Sequence, residues 1–166
     1  GVHSTAAGPL ANASGAYSSA IGFGTVASGT SANAVGTDAK ASGVNSTAIG
    51  TLSNAGGANS LAEGYGAQSS NQYSTAVGFS AVAAGVSANA FGTDANAGGQ
   101  NSLAVGTLAN ASGLDSMAVG NNAQASGDYG AAVGSGAVAS GYSSSAFGQH
   151  ASAIGDYSTA LGTNAY

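Results

Sequence analysis

A glycine stands at position 1 and at every seventh position after it through Gly162, with the one exception of Asn71. Two residues before each of these positions the residue is Ala, from Ala6 to Ala160, except at Ser69. Without that register, the abundance of Gly, Ala and Ser would suggest a silk-like or disordered chain. A fixed period argues for one small structural unit repeated from end to end. Bulky residues are too few and too evenly placed to build a conventional globular core, so residues 1–166 form one solenoid domain.

With each heptad counted from its glycine, positions four and six are always small, as in Ser46 and Ala48 or Ala109 and Ala111. In an extended strand alternate residues share a face, which puts four and six inside and three, five and seven outside. Gly at position one, with the variable residue after it, is expected to supply a tight turn through positive φ. One coil is then two five-residue strands and two turns, 14 residues in all. Stacked coils pair each strand with its counterpart one coil away, giving two parallel sheets at about 4.7–4.9 Å per coil. The expected fold is an all-β parallel β-roll of about 12 coils, a rod of about 55–60 Å. Ala and Gly are poor strand formers, so periodicity overrides propensity here. A helix would carry Gly in every second turn, at about 1 kcal/mol each.

The two heptads of a coil differ at position seven. One series reads Ile21, Val35, Ile49, Val77, Phe91, Val105, Val119, Val133, Phe147 and Leu161; the other is Ser, Gly or Ala at almost every coil. One sheet therefore carries an apolar column on its outer face. Each such side chain stabilises by about 1.5–3 kcal/mol if fully buried, and the contiguous patch is too large to leave in water. Because the column runs along the rod, closed cyclic association buries it in every copy, with two, three or more copies all allowed by the pattern.

Lys40 is the only base and the six acids are scattered, giving a net charge of −5. A chain with no basic patch is no partner for nucleic acid. No apolar run is long enough to span a bilayer, and no signal-peptide pattern opens the chain. The absence of Cys removes disulfides and thiolate metal sites. His3 and His150 lie far apart with no carboxylate cluster near them in the pattern, so neither is a candidate metal ligand or catalytic base. No nucleophile, acid and base converge; the expectation is a protein with no enzymatic activity and no cofactor. The period of seven also departs from the six and nine of the acyltransferase and calcium-binding solenoids.

The repeats Asn45-Ser46-Thr47-Ala48-Ile49-Gly50, Asn59-Ser60-Leu61-Ala62-Glu63-Gly64 and Asn101 to Gly106 resemble the Asn-Ser-Val-Ala-Ile-Gly repeat of YadA-like heads in trimeric autotransporter adhesins. The resemblance covers essentially the whole chain. It implies a homotrimer of left-handed β-rolls, extracellular at the bacterial cell surface. In the full-length protein the head would stand on a stalk anchored in the outer membrane, the only link to a membrane. It further implies binding to host matrix proteins such as collagen, fibronectin or laminin, or to host cells. In a trimer the column from Ile21 to Leu161 becomes the subunit interface. No neck motif, coiled-coil heptads or anchor is seen, which suggests an excised head.

A longer period overlies the heptads: residues 15–70 match 71–126 at 33 of 56 positions, and a third copy begins at Gly127. It places Tyr17, Tyr73 and Tyr129 at equivalent points, expected on strands. These aromatics could touch an extended ligand every four coils, or simply pack at the rims between subunits. With Asn45 and Asn101 they are the candidate ligand-binding residues of an adhesin that works through many weak contacts. The competing reading is a rigid spacer that holds a more distal binding domain away from the cell. Glu63 interrupts the apolar column. Around a symmetry axis its copies would call for a neutralising proton, a captured cation or a water-filled pocket; alternatively the coil loosens there, with Ser69 and Asn71 close behind.

Overall fold

Because Ala and Ser leave almost no thickness between facing strands, the chain can close a coil in 14 residues. The computed structural model describes residues 1–166. Strands β1 (Thr5–Ala7), β2 (Asn12–Ala13), β3 (Ser19–Ile21) and β4 (Val26–Ala27) open a series that alternates to β23 (Thr159–Leu161). Odd-numbered strands form a first sheet of 12 strands and even-numbered strands a second of 11, each in sequence order. All pairings are parallel, and each residue meets the one 14 positions on, as Ala20 meets Ala34 and Ala104 meets Ala118. The solenoid thus completes eleven turns before its last strand.

The strands are shorter than the expected five residues: three in the first sheet and two in the second. The reason lies in the turns, which occupy positions one to four. A position-four N–H donates to the position-one carbonyl, as from Ser102 to Gly99 at 3.3 Å and from Ala109 to Gly106 at 3.2 Å. Where position four is Ser its hydroxyl in most coils donates to the same oxygen, as from Ser46 to Gly43 and Ser116 to Gly113, both 2.7 Å, Ser144 and Ser158 being exceptions.

The left-handed residue of each turn is not chiefly the glycine. Position three takes positive φ in every heptad, in 21 non-glycine residues and in Gly24, Gly66 and Gly136. Tyr17, Tyr73 and Tyr129 consequently sit in turns and not on strands. Position-one glycine has a second, steric cause. At Gly99, whose φ is not positive, an added Cβ would overlap the carbonyl of Gly113; at Gly106, φ is +129 and an added Cβ would also run into the Gly120 carbonyl, though less deeply. Coils stacked backbone on backbone leave no room there for a side chain.

The interior is a ladder of buried alanines from Ala13 to Ala160, joined by buried Ser residues at position four. Positions five and seven face outward, as expected. At Asn71 the turn yields to a side chain. Its Nδ2 donates to the Ala84 carbonyl, and the nearby bond from Ser70 N–H to Ala83 O is 3.2 Å, against 3.0 Å from Ser42 to Ala55. Pairing through Glu63 itself is unbroken, since β9 (Leu61–Glu63) keeps full register with both neighbouring strands.

Candidate functional site

The rod offers two sheet faces and two turn edges. On the first sheet, position seven forms a continuous in-register column in which Ile21 meets Val35, Val105 meets Val119 and Phe147 meets Leu161. In the single chain these residues are open to solvent to differing extents. Ile21 is 45% exposed and Leu161 77%, while Val77, Val105, Val119 and Val133 are half-buried by their neighbours. Glu63 stands in the column between Ile49 and Val77, exposed. Beside it, on the edge that follows the first sheet, Tyr65 and Phe79 stack in parallel with centroids 5.2 Å apart. That pair widens the apolar surface next to the column.

The edge that precedes the first sheet carries all five candidate ligand-binding residues. Tyr17, Asn45, Tyr73, Asn101 and Tyr129 share position three, with φ between 55° and 59°. Their side chains form one column along the rod but no single pocket, because whole coils separate them. Each makes its own local contact where a neighbour allows. Asn45 Nδ2 donates to Asn59 Oδ1 at 3.2 Å, and Asn101 Nδ2 to Asp115 Oδ1 at 2.8 Å. Tyr17 stacks on His3 at 5.3 Å. Tyr129 packs edge-on against Tyr142 at 5.5 Å.

Sequence reasoning passed over Tyr142, Asp128 and Asp156, which lie at position two of the same edge. The signal was present in the spacing. Tyr129, Tyr142 and Tyr157 are 13 and 15 residues apart, straddling the 14-residue coil and so alternating between positions three and two.

The second sheet is more polar on its outer face. Its position-five column runs through Asn54, Gln68, Val82, Asn96, Asn110 and Gln124, with Asn96 Nδ2 donating to Asn110 Oδ1 at 3.4 Å. A shallow groove there is lined by Asp38, Lys40, Leu52, Asn54 and Gln68. No group of three or more His, Cys, Asp or Glu residues is placed to hold a metal ion. His3 and His150 lie on opposite edges, the second over Gly136. The geometry repeats one surface many times, coil after coil.

The YadA head domain repeat matches the chain at residues 1–25, 27–53, 41–67, 55–81, 83–109, 97–123, 111–137 and 139–165. The chain belongs to the YadA head family. Among solved structures, this YadA-type head is similar to the collagen-binding domain of Yersinia adhesin YadA, at 25% sequence identity over 98% of this chain and 82% of that one, with a TM-score of 0.41. No curated protein matches it. The YadA head repeats span both turn edges and both sheets, so no one coil is singled out as the site.

Proposed function

We propose that this chain is the head of a bacterial cell-surface adhesin, assembled as a homotrimer of left-handed β-rolls and carried above the outer membrane by the rest of a longer protein. The observation that carries the reading is the apolar column from Ile21 to Leu161, in register along one sheet and exposed or only half-buried in the single chain. Three copies around an axis parallel to the rod bury it along its whole length. The remaining face and edges then point outward in triplicate. Attachment to host matrix proteins such as collagen, fibronectin or laminin, or to host cells, arises from many weak contacts that act together.

Light scattering coupled to size exclusion tests the assembly: a mass three times that of the 15.2 kDa chain, stable on dilution, is expected. A folded monomer overturns it. Solid-phase attachment to the three matrix proteins tests the adhesive role, and absence of salt-resistant binding overturns that.

The continuous pairing of both sheets and the four-coil duplication favour a second reading, a rigid spacer. Deleting residues 71–126 separates the two. A spacer shortens and keeps its function, whereas a repeat-based adhesin loses binding in proportion to the coils removed.

A further inference from the structure

Three exposed tyrosines form a strip on the edge that precedes the first sheet. Tyr142 meets Tyr129 and Tyr157, each with centroids 5.5 Å apart and planes at 76° and 73°. Edge-to-face packing of this kind holds the rings in place, and each ring still keeps a large part of its surface open to solvent. Asp128 and Asp156 flank Tyr142 in its own column. Each carboxylate is fixed by one oxygen: Asp128 Oδ1 accepts the Leu114 N–H and Asp156 Oδ1 the Tyr142 N–H, both at 2.9 Å. Neither Oδ2 has a hydrogen-bond partner in the chain.

Charge on this edge is one-sided. Asp115, Asp128 and Asp156 are three of the six acids, and all three are exposed. The only Lys or Arg, Lys40, is on the second sheet many coils away. An aromatic strip interleaved with unneutralised carboxylates suits a cation, whose charge is attracted by both ring faces and Oδ2 atoms. Spacing narrows the class further. Asp128 and Asp156 are two coils apart, about 9.4–9.8 Å, and three residues of a polyproline II segment rise about 9.3 Å. A peptide in that conformation, lying along the rod, keeps step with every second coil.

We propose that Tyr129, Tyr142 and Tyr157, with Asp128 and Asp156, form a docking strip for an extended single-chain peptide that carries Arg or Lys at every third residue. The proposal rests on the reading of this chain as a binding head and names a chemical class of partner for one of its edges.

The test is calorimetric titration of the intact protein with a four-repeat Pro-Pro-Arg peptide and its Pro-Pro-Gln counterpart. The Arg peptide is expected to bind about tenfold more tightly, and Tyr142→Ala to remove about that factor. Asp128→Asn with Asp156→Asn keeps an oxygen for each turn bond but removes the charge, and is expected to weaken binding about fivefold. Asp38→Asn with Asp94→Asn, on the opposite edge, makes the same change in net charge and should leave affinity unaltered.

Equal affinity for both peptides, no binding of either, or an equal loss in the two Asn pairs overturns the strip. So does a fall in assembly mass with Tyr142→Ala, which would make it a subunit contact. Attachment to matrix proteins, measured alongside, separates the two readings. If it persists while the Arg peptide fails, the strip falls and the head stands; the converse removes the matrix ligands and keeps the strip.

Discussion

Glu63 is paired in register with Val77, its carboxylate taking the outward place that the apolar residues hold in the coils beyond it. In the proposed trimer three such carboxylates approach one axis within an apolar lining. Replacing Glu63 with Val removes that repulsion and completes the column. Thermal melting of the E63V assembly is expected to rise. Wild-type stability should increase toward about 1 M salt, where the screening length falls to about 3 Å, and the variant should be nearly flat. A variant that melts lower, or keeps the salt dependence, removes Glu63 from the axis.

Ser69 replaces the interior alanine of its coil, and its hydroxyl is fully buried with no partner in the protein. The position-four serines differ, since most donate to a turn carbonyl. A buried polar group left unpaired costs about 1–3 kcal/mol, and Ala is the residue that neighbouring coils already accept. Ser69→Ala is therefore expected to stabilise by about 1 kcal/mol in chemical unfolding. A loss of stability would show that the hydroxyl is satisfied.

The period of seven was enough to place Ala20 against Ala34, to put Ile21 and Val35 on an outer face, and to divide the coil between two parallel sheets. Those features follow from alternation along a strand, which sequence displays directly. The turn was less legible because glycine has two uses. Gly99 is needed for a close approach between coils, yet its conservation of place within the repeat looks the same as a need for positive φ. A signal for the true left-handed residue was available: position three holds Asn, Asp, Ser, Gly, His, Tyr and Leu but never Val, Ile or Thr, whereas position two holds Val44, Thr51 and Thr107. β-branched side chains resist positive φ most strongly. The Tyr129–Tyr142–Tyr157 strip needed both the coil length and the turn geometry, so it became visible only in three dimensions.

That asymmetry makes Leu108 informative, since its φ is +58 and half of its side chain is exposed. Leu108→Gly removes the left-handed cost and is expected to stabilise by about 1 kcal/mol, offset in part by the freedom Gly gives the unfolded chain. Leu108→Val should destabilise by about 1–2 kcal/mol. Chemical unfolding of the pair checks the sign of each, and a Val variant as stable as the Gly variant would contradict the turn geometry.

Gly98 and Gly99 are adjacent in sequence but meet opposite surroundings. A Cβ on Gly98 finds its nearest atoms at 3.9 Å, the Asn96 Oδ1 and Ser112 Cα, and its φ is not positive; a Cβ on Gly99 would overlap the Gly113 carbonyl. Gly98→Ala therefore keeps every native contact and restricts the unfolded chain, which is expected to stabilise by about 0.5–1 kcal/mol. Gly99→Ala must push two stacked turns apart. Asn71 shows what that needs, a side-chain amide that bonds to the next coil in compensation, and Ala has none. Its cost should exceed about 3 kcal/mol, with loss of amide protection centred on the turns at Gly99 and Gly113. Similar stabilities for the two variants would mean that the coils are not stacked backbone on backbone at position one.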